Sequence, residues 1–530
     1  MYSEKSSMRA SHLPAAFCAF RPLLLVPFVA LFLSIGNSPR FVKGNQKNKL
    51  TIPVIPYRIV VIAYFTREYC MESTKAAGTS GEPKKENKMG VMPIPKLLLT
   101  MSLPMIISMI VQALYNVVDS IFVSQINENA LTAVSLAFPI QNLMIAVASG
   151  TGVGVNALLS RSLGEKNYDQ ADKAANNSIL LALIGFAVFC LFGLFGSRIF
   201  FTMQTDDAQI IEYGVQYMTV ICGLSIGIFM QVTLERLLQA TGMTFYTMLT
   251  QGLGAILNII FDPILIFGYF GFPKMGVTGA ALATVFGQIV ATLLAIFFNV
   301  ARNHEIHIHP ARMRFDAPTI KGIYAVGVPS ILMMSIGSVM TFGMNKILLV
   351  FSSTAAAVFG VYFKLQSFFF MPVFGLNNGM VPIIAFNYGA RKKDRITHTI
   401  RLSCIFAFIM MMLGLIVFQI IPDKLLLLFN ASEDMISIGS NALRIISWSY
   451  LFAGFCIVLS SVFQALGNGV YSLIVSVARQ LFVLLPSAWI LAEAFGLHAV
   501  WWSFPIAEIV SILLSILLFG RIYRKKIQTL

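Results

Sequence analysis

Charge is what this sequence has little of. Only 12% of its 530 residues are Asp, Glu, Lys or Arg, about half the share of an ordinary soluble domain, which argues against a water-soluble fold. Acid is scarcer than base, with 23 Asp and Glu against 38 Lys and Arg, for a net charge of +15. The basic residues are spread over short segments between apolar runs and form no stripe, so they point to membrane topology and not to nucleic acid. Paired cysteines are missing too. Cys18, Cys70, Cys190, Cys222, Cys404 and Cys456 are scattered without a CxxC pair, which leaves no basis for a disulfide framework or a thiolate metal site. No GxxxxGK[ST] loop is present, so direct coupling to ATP is not expected. The run HEIHIH at 304–309 has Ile at 308, where a metalloprotease helix needs its second histidine at i+4. It reads as a solvated linker, and neither an enzyme nor a bound cofactor is expected.

What the chain has in quantity is apolar length: 57% of its residues are hydrophobic and its mean hydropathy is +0.78. Twelve runs between 97–124 and 498–521, the fourth and tenth at 207–233 and 437–462, reach the ~20 residues that cross a bilayer. The expected fold is an all-α polytopic membrane protein. Loops after even-numbered runs hold most of the basic residues, including Arg161, Lys166, Arg302, Arg312, Lys392 and Arg395. The positive-inside rule therefore puts those loops and both termini in the cytoplasm. Residues 1–88 differ: two short apolar stretches precede a polar run, MESTKAAGTSGEPKKENKMG. That extension is expected to be disordered or to come from an over-extended start site, with the native chain beginning at Met71 or Met89.

An internal repeat organises the remainder. Pro104 and Pro329, Gln141 and Gln366, Gly154 and Gly379, Gly164 and Gly389, and Gln239 and Gln464 all match at one offset of 225 residues. Six spans lie within that offset. Six is an even number, so the halves run in the same direction as parallel repeats. This predicts an N-lobe over 89–300, a linker over 301–321 and a C-lobe over 322–530. Two such six-helix lobes facing one another enclose a central cleft, and rocking one against the other exposes it to each side in turn.

Carboxylates inside spans are costly enough, at roughly 2.5 kcal/mol or more, to need a partner or a function. Asp119 ends YNVVD in span one and Asp262 ends NIIFD in span five; Tyr115 and Asn258 stand four residues before them, on the same helix face. Both aspartates lie at similar depth and are expected to share a pocket, where two carboxyls titrate as a coupled pair. Such a site can exchange a proton or Na⁺ for a cationic compound, because the ligands compete for one negative charge. The C-lobe equivalents are Met344 and Ser487, so the lobes are chemically unequal. That lobe instead embeds Lys364, Arg479 and Glu508, whose roles, substrate contact or internal pairing, the residues leave open. Glu235, followed by Arg236, is expected at the membrane interface.

The segments QALYNVVDSIFVSQI (112–126), LLSRSLGEKNYDQA (158–171), LLQATG (237–242), LNIIFDPILIF (257–267), GVTGAALAT (276–284) and AFNYGARKKDRI (385–396) resemble the multidrug and toxic compound extrusion (MATE) family. The resemblance is to the bacterial branch whose acidic site is in the N-terminal lobe. It implies twelve transmembrane helices and antiport of cationic amphipathic compounds against H⁺ or Na⁺ in a bacterial cytoplasmic membrane. It further implies ion-linked roles for Asp119 and Asp262, companions in Tyr115 and Asn258, and looser assignments for Thr284 and Gln231. Pro104 matches a first-helix proline about which bending has been proposed in relatives. The carboxylates another branch carries in its seventh and tenth helices have no counterpart, since 322–350 and 440–462 hold no Asp or Glu. The expected partners are small cationic substrates and the lipid bilayer, without nucleic acid or nucleotide, acting on a monomer. A flippase for a lipid-linked saccharide is the rival reading.

Overall fold

Side chains that suit helix starts punctuate the chain and set its elements. The computed structural model describes residues 86–309, 314–429 and 431–530; the expectations for residues 1–85 lie outside the described residues. A one-turn helix α1 (Lys88–Val91) leads into α2 (Ile94–Ser124), α3 (Glu128–Gly164) and α4 (Tyr168–Leu191). A π-helical turn at Phe192–Gly196 joins α4 to α5 (Ser197–Thr202), and α6 (Ala208–Gly223), α7 (Ile226–Ala240), α8 (Thr244–Phe267) and α9 (Val277–Ala301) complete the first half. The second half holds α10 (Ala317–Leu349), α11 (Ser353–Gly389), α12 (Lys393–Ile420), α13 (Pro422–Leu427), α14 (Glu433–Ser447) and α15 (Tyr450–Ala465). It ends with α16 (Gly469–Val477), a π-helical stretch Ala478–Leu484, α17 (Leu485–Phe495), α18 (Leu497–Val500) and α19 (Ser503–Ile522). The Asn127, Asp207, Ser352 and Ser432 side chains accept N-cap bonds from the first turns of α3, α6, α11 and α14, as capping residues do. They are repeat mates: Asn127 with Ser352, and Asp207 with Ser432, at the 225-residue offset.

Among the described residues ten helices are long and apolar enough to cross a membrane, or twelve if two bent pairs each count as one span. The bent pairs are α6 with α7, at 41°, and α14 with α15, at 53°. The runs 207–233 and 437–462 read as straight spans in sequence, yet each breaks at the same place in its half, after Gly223 and after Ser447. Large apolar side chains such as Phe195, Val300, Phe342 and Leu517 stand exposed around the bundle, the pattern of a protein whose outer solvent is lipid.

The halves meet along a seam of glycines that obeys the same offset. A Cβ on Gly150 would lie 2.5 Å from Ile331, and one on Gly375 2.6 Å from Ile106. Further along, Gly164 sits against the Phe386 carbonyl and Gly389 against the Arg161 carbonyl, where a Cβ would come within 1.9 and 2.2 Å. Each contact is the other's repeat mate. Spans one and two therefore pack on spans eight and seven with a pseudo-two-fold relation, backbone against backbone. Only glycine allows such approach.

The linker is less solvated than expected. His307 N donates to Asp172 Oδ1 at 2.7 Å, His309 N to Asn176 Oδ1 at 3.0 Å and Asp316 N to Asn177 Oδ1 at 3.0 Å, while Ile306 is buried. The first turns of α4 thus hold the linker like a stitched edge. Among the described residues no group of three or more His, Cys, Asp or Glu is placed to hold a metal ion.

Symmetric seam contacts imply symmetric damage. Gly164→Leu and Gly389→Leu should each lower the unfolding temperature of the purified protein, through overpacking of about 1 to 3 kcal/mol or more. Gly520→Leu, whose Cβ meets nothing within 4 Å, should leave it unchanged. Equal unfolding temperatures for all three would refute the seam.

Candidate functional site

The two aspartates converge. Asp119 lies five residues before the end of α2 and Asp262 five before the end of α8, roughly 7.5 Å of helix rise in each case. These helices pack side by side, and the two carboxyl groups are close neighbours. Asp262 is fully buried, and Asp119 Oδ1 is buried with no hydrogen-bond partner. Ionised carboxyl oxygens are acceptors only, so two such neighbours repel unless a proton or another cation lies between them.

Asn258 fixes one side of the pair. With its amide turned to satisfy both ends, the nitrogen donates to Asp262 Oδ2 at 3.1 Å and the oxygen accepts from Thr284 Oγ1 at 3.0 Å. Span five is thereby tied to span six. α8 runs unbroken through Pro263, so the i, i+4 alignment of Asn258 with Asp262 survives the proline. Tyr115 on α2 and Tyr217 on α6 lie close enough to feel both carboxylates. Gln141 on α3 donates to the Tyr217 hydroxyl at 2.9 Å. The pocket is thus lined by oxygen donors from spans one, four, five and six, with span two behind. That donor chemistry suits a proton or a hard monovalent cation.

Of the residues expected from sequence, Asp119, Asp262, Asn258, Tyr115 and Thr284 come together, and Gln231 does not. Its Nε2 donates instead to Glu235 Oε1 at 3.0 Å. Glu235 is only 2% exposed. Thr250 Oγ1 donates to its Oε1 at 2.8 Å and Gln251 Nε2 to its Oε2 at 2.7 Å, so both carboxylate oxygens are satisfied within the first half. The adjoining Arg236 crosses the seam, where its Nη1 reaches Asn378 Oδ1 at 3.0 Å and Gln239 Oε1 at 2.9 Å. Two contributors were missed in sequence. Gln141 carried a signal, being one of the polar residues repeated at the offset; Tyr217, inside an apolar run, carried none.

In the second half the embedded Arg479 and Glu508 pair with each other. Arg479 Nη1 lies 2.6 Å from Glu508 Oε1, with Glu508 side chain 9% exposed, and Tyr362 and Cys456 lie beside the pair. At the matching positions of the first half stand Gly254 and Ala283, where helices five and six touch closely. Lys364 rests over the Phe429 ring at 5.9 Å and Lys346 over Phe342 at 5.8 Å. The open acidic site belongs to one half alone.

A polytopic helical bundle built of two parallel halves, with an acidic pocket in one, defines a membrane transporter. A family model described as MatE matches residues 104–264 and again 329–490, one match in each repeat, so the chain belongs to the MATE family. It is 26% identical over 421 residues to Multidrug export protein MepA of Staphylococcus haemolyticus, covering 79% of this chain and 92% of that protein. It is also 26% identical over 423 residues to the FAD transporter of Shewanella oneidensis, with the same shares covered. Among solved structures, an outward-facing multidrug resistance MATE family transporter of the MOP superfamily superposes with a TM-score of 0.79 at 26% identity, covering 85% of this chain and all of that one. A MOP superfamily transporter from Pyrococcus furiosus, described as having a binding pocket of reversed polarity, gives 0.78 at 26% identity, covering 84% of this chain and 99% of that one.

The Arg479–Glu508 pair makes a stability prediction. Glu508→Gln leaves a guanidinium without its counter-charge and should destabilise the protein by about 3 kcal/mol, read as a lower unfolding temperature. Combining Arg479→Met with Glu508→Leu should restore most of the loss. A double variant no better than the single would show that the pair does not compensate itself.

Proposed function

We propose that this chain is a secondary-active antiporter of the bacterial cytoplasmic membrane, with both termini cytoplasmic, that exports cationic amphipathic compounds in exchange for H⁺ or Na⁺. One observation carries the reading: Asp119 and Asp262 are close neighbours inside the first half, where two buried acids call for an accompanying cation. A coupling ion meets that requirement in one state and a cationic substrate meets it in another, so each expels the other. Asn258, Thr284, Tyr115 and Tyr217 orient the pair and supply neutral oxygens. The seam closes the cleft at the end bearing Gly164 and Gly389, the end that the basic loops assign to the cytoplasm, and this corresponds to an outward-facing state. Rocking about the glycine contacts would open it.

The relative named as a FAD transporter suggests an anionic cargo, and the flippase reading likewise calls for a basic cleft. Arg479 is engaged by Glu508, which leaves Lys364 to set against the first half's two acids. This favours cations.

Cells expressing the protein should therefore extrude ethidium, and Asp119→Asn or Asp262→Asn should reduce extrusion to the level of cells without it. In reconstituted vesicles a pH gradient alone should drive uptake if the ion is H⁺, and a Na⁺ gradient alone if it is Na⁺. Transport indifferent to both gradients, or intact in both variants, would end the antiport reading. A wild type inert toward ethidium would shift the balance to the flippase.

A further inference from the structure

The segment just before the first span is bonded to both halves at once. On one side, Asn87 Nδ2 donates to Glu305 Oε1 of the linker at 3.1 Å and, more weakly, to the Thr241 carbonyl of the first half at 3.4 Å. Its Oδ1 accepts from Met89 N at 2.9 Å and starts α1. Met89 is fully buried and lies beside Gly242. On the second half, the Met89 carbonyl accepts from Asn387 Nδ2 and from Arg395 Nη2, both at 3.0 Å. The Met92 carbonyl accepts from Arg395 Nη2 at 2.7 Å and the Gly90 carbonyl from Lys392 Nζ at 2.9 Å. Arg395 is itself held by Asn387, through Nε to Oδ1 at 3.0 Å.

A single helical turn cannot satisfy its own last carbonyls, and here two cations and an amide from across the seam do so. Pro93 ties the segment directly to α2, so it travels with the first half. Parting the halves at this end must strip Asn387, Lys392 and Arg395 from their acceptors together. We propose that residues 87–92 are a clasp, carried by the first half and gripping the second, that sets how much of the protein has this end of the cleft closed. The proposal rests on the alternating-access reading but not on which side of the membrane this end faces.

The test uses the full chain in lipid nanodiscs, with its six native cysteines replaced by alanine and spin labels at Asp169→Cys and Asp394→Cys. These exposed repeat mates flank the seam. Inter-label distances are measured over a range of pH, with and without ethidium. Arg395→Gln with Lys392→Gln loosens the grip on the second half, and Asn87→Ala loosens the anchor on the first. Each should raise the ratio of open to closed populations about fivefold, the effect of losing roughly one net hydrogen-bond contribution. Lys393→Gln, which removes a neighbouring positive charge, should match the unaltered protein. If the unaltered protein samples both distances and the clasp variants reproduce its distribution, the clasp is wrong and alternating access stands. A single short distance in every sample and condition would overturn both.

Discussion

Two carboxyl groups side by side inside a helical bundle are the constraint on which the rest of this structure turns. In water their repulsion would be screened and each would be separately hydrated; among apolar helices neither relief is available. The pair needs a positive partner. Because Asp119 and Asp262 come from different helices, any change in the distance between α2 and α8 alters how well that partner is held. Asn258 and Thr284 extend the linkage to span six, so the charge state of one pocket bears on the packing of most of a lobe.

The scaffold around this pocket is symmetric, and its chemistry is not. Glycine contacts and helix caps recur at one offset, and the broken spans within one residue of it. Charge is distributed differently. In the second half Arg479 and Glu508 neutralise one another, where the first half has Gly254 and Ala283. Internal pairing leaves that half without an open demand for a cation, so the proposed ion exchange falls to the first. Glu235 shows that burial alone does not make a coupling site. Three donors already satisfy it, so it is suited to joining spans four and five.

Much of this was legible in the sequence, because membrane helices and parallel repeats leave long-range periodic marks. The number of spans followed from apolar length, and the two like halves from residues matched at 225; that their glycines form the seam between them emerged only from the structure. The aspartate pair followed from two acids at similar depth with polar companions at i, i+4. What escaped depended on contacts across helices. Gln231 and Glu235 stand one turn apart and bond to each other, a pairing that an assignment of Gln231 to the ion site ignored. Arg236 beside Glu235 resembled a membrane-interface pair, yet these side chains diverge, one into its own lobe and one across the seam. Tyr217 reaches the pocket from α6, and nothing in its apolar surroundings announces that.

The central claim is that one acidic pocket binds either the coupling cation or the cationic substrate, and never both. Equilibrium binding of ethidium to the purified protein, measured while H⁺ and Na⁺ concentrations are varied independently, tests it most directly. Over the range where the coupling ion saturates, each tenfold rise in that ion should weaken ethidium binding about tenfold, and the doubly neutralised variant Asp119→Asn with Asp262→Asn should lose this dependence. An ethidium affinity that ignores both ions in the unaltered protein would contradict the account.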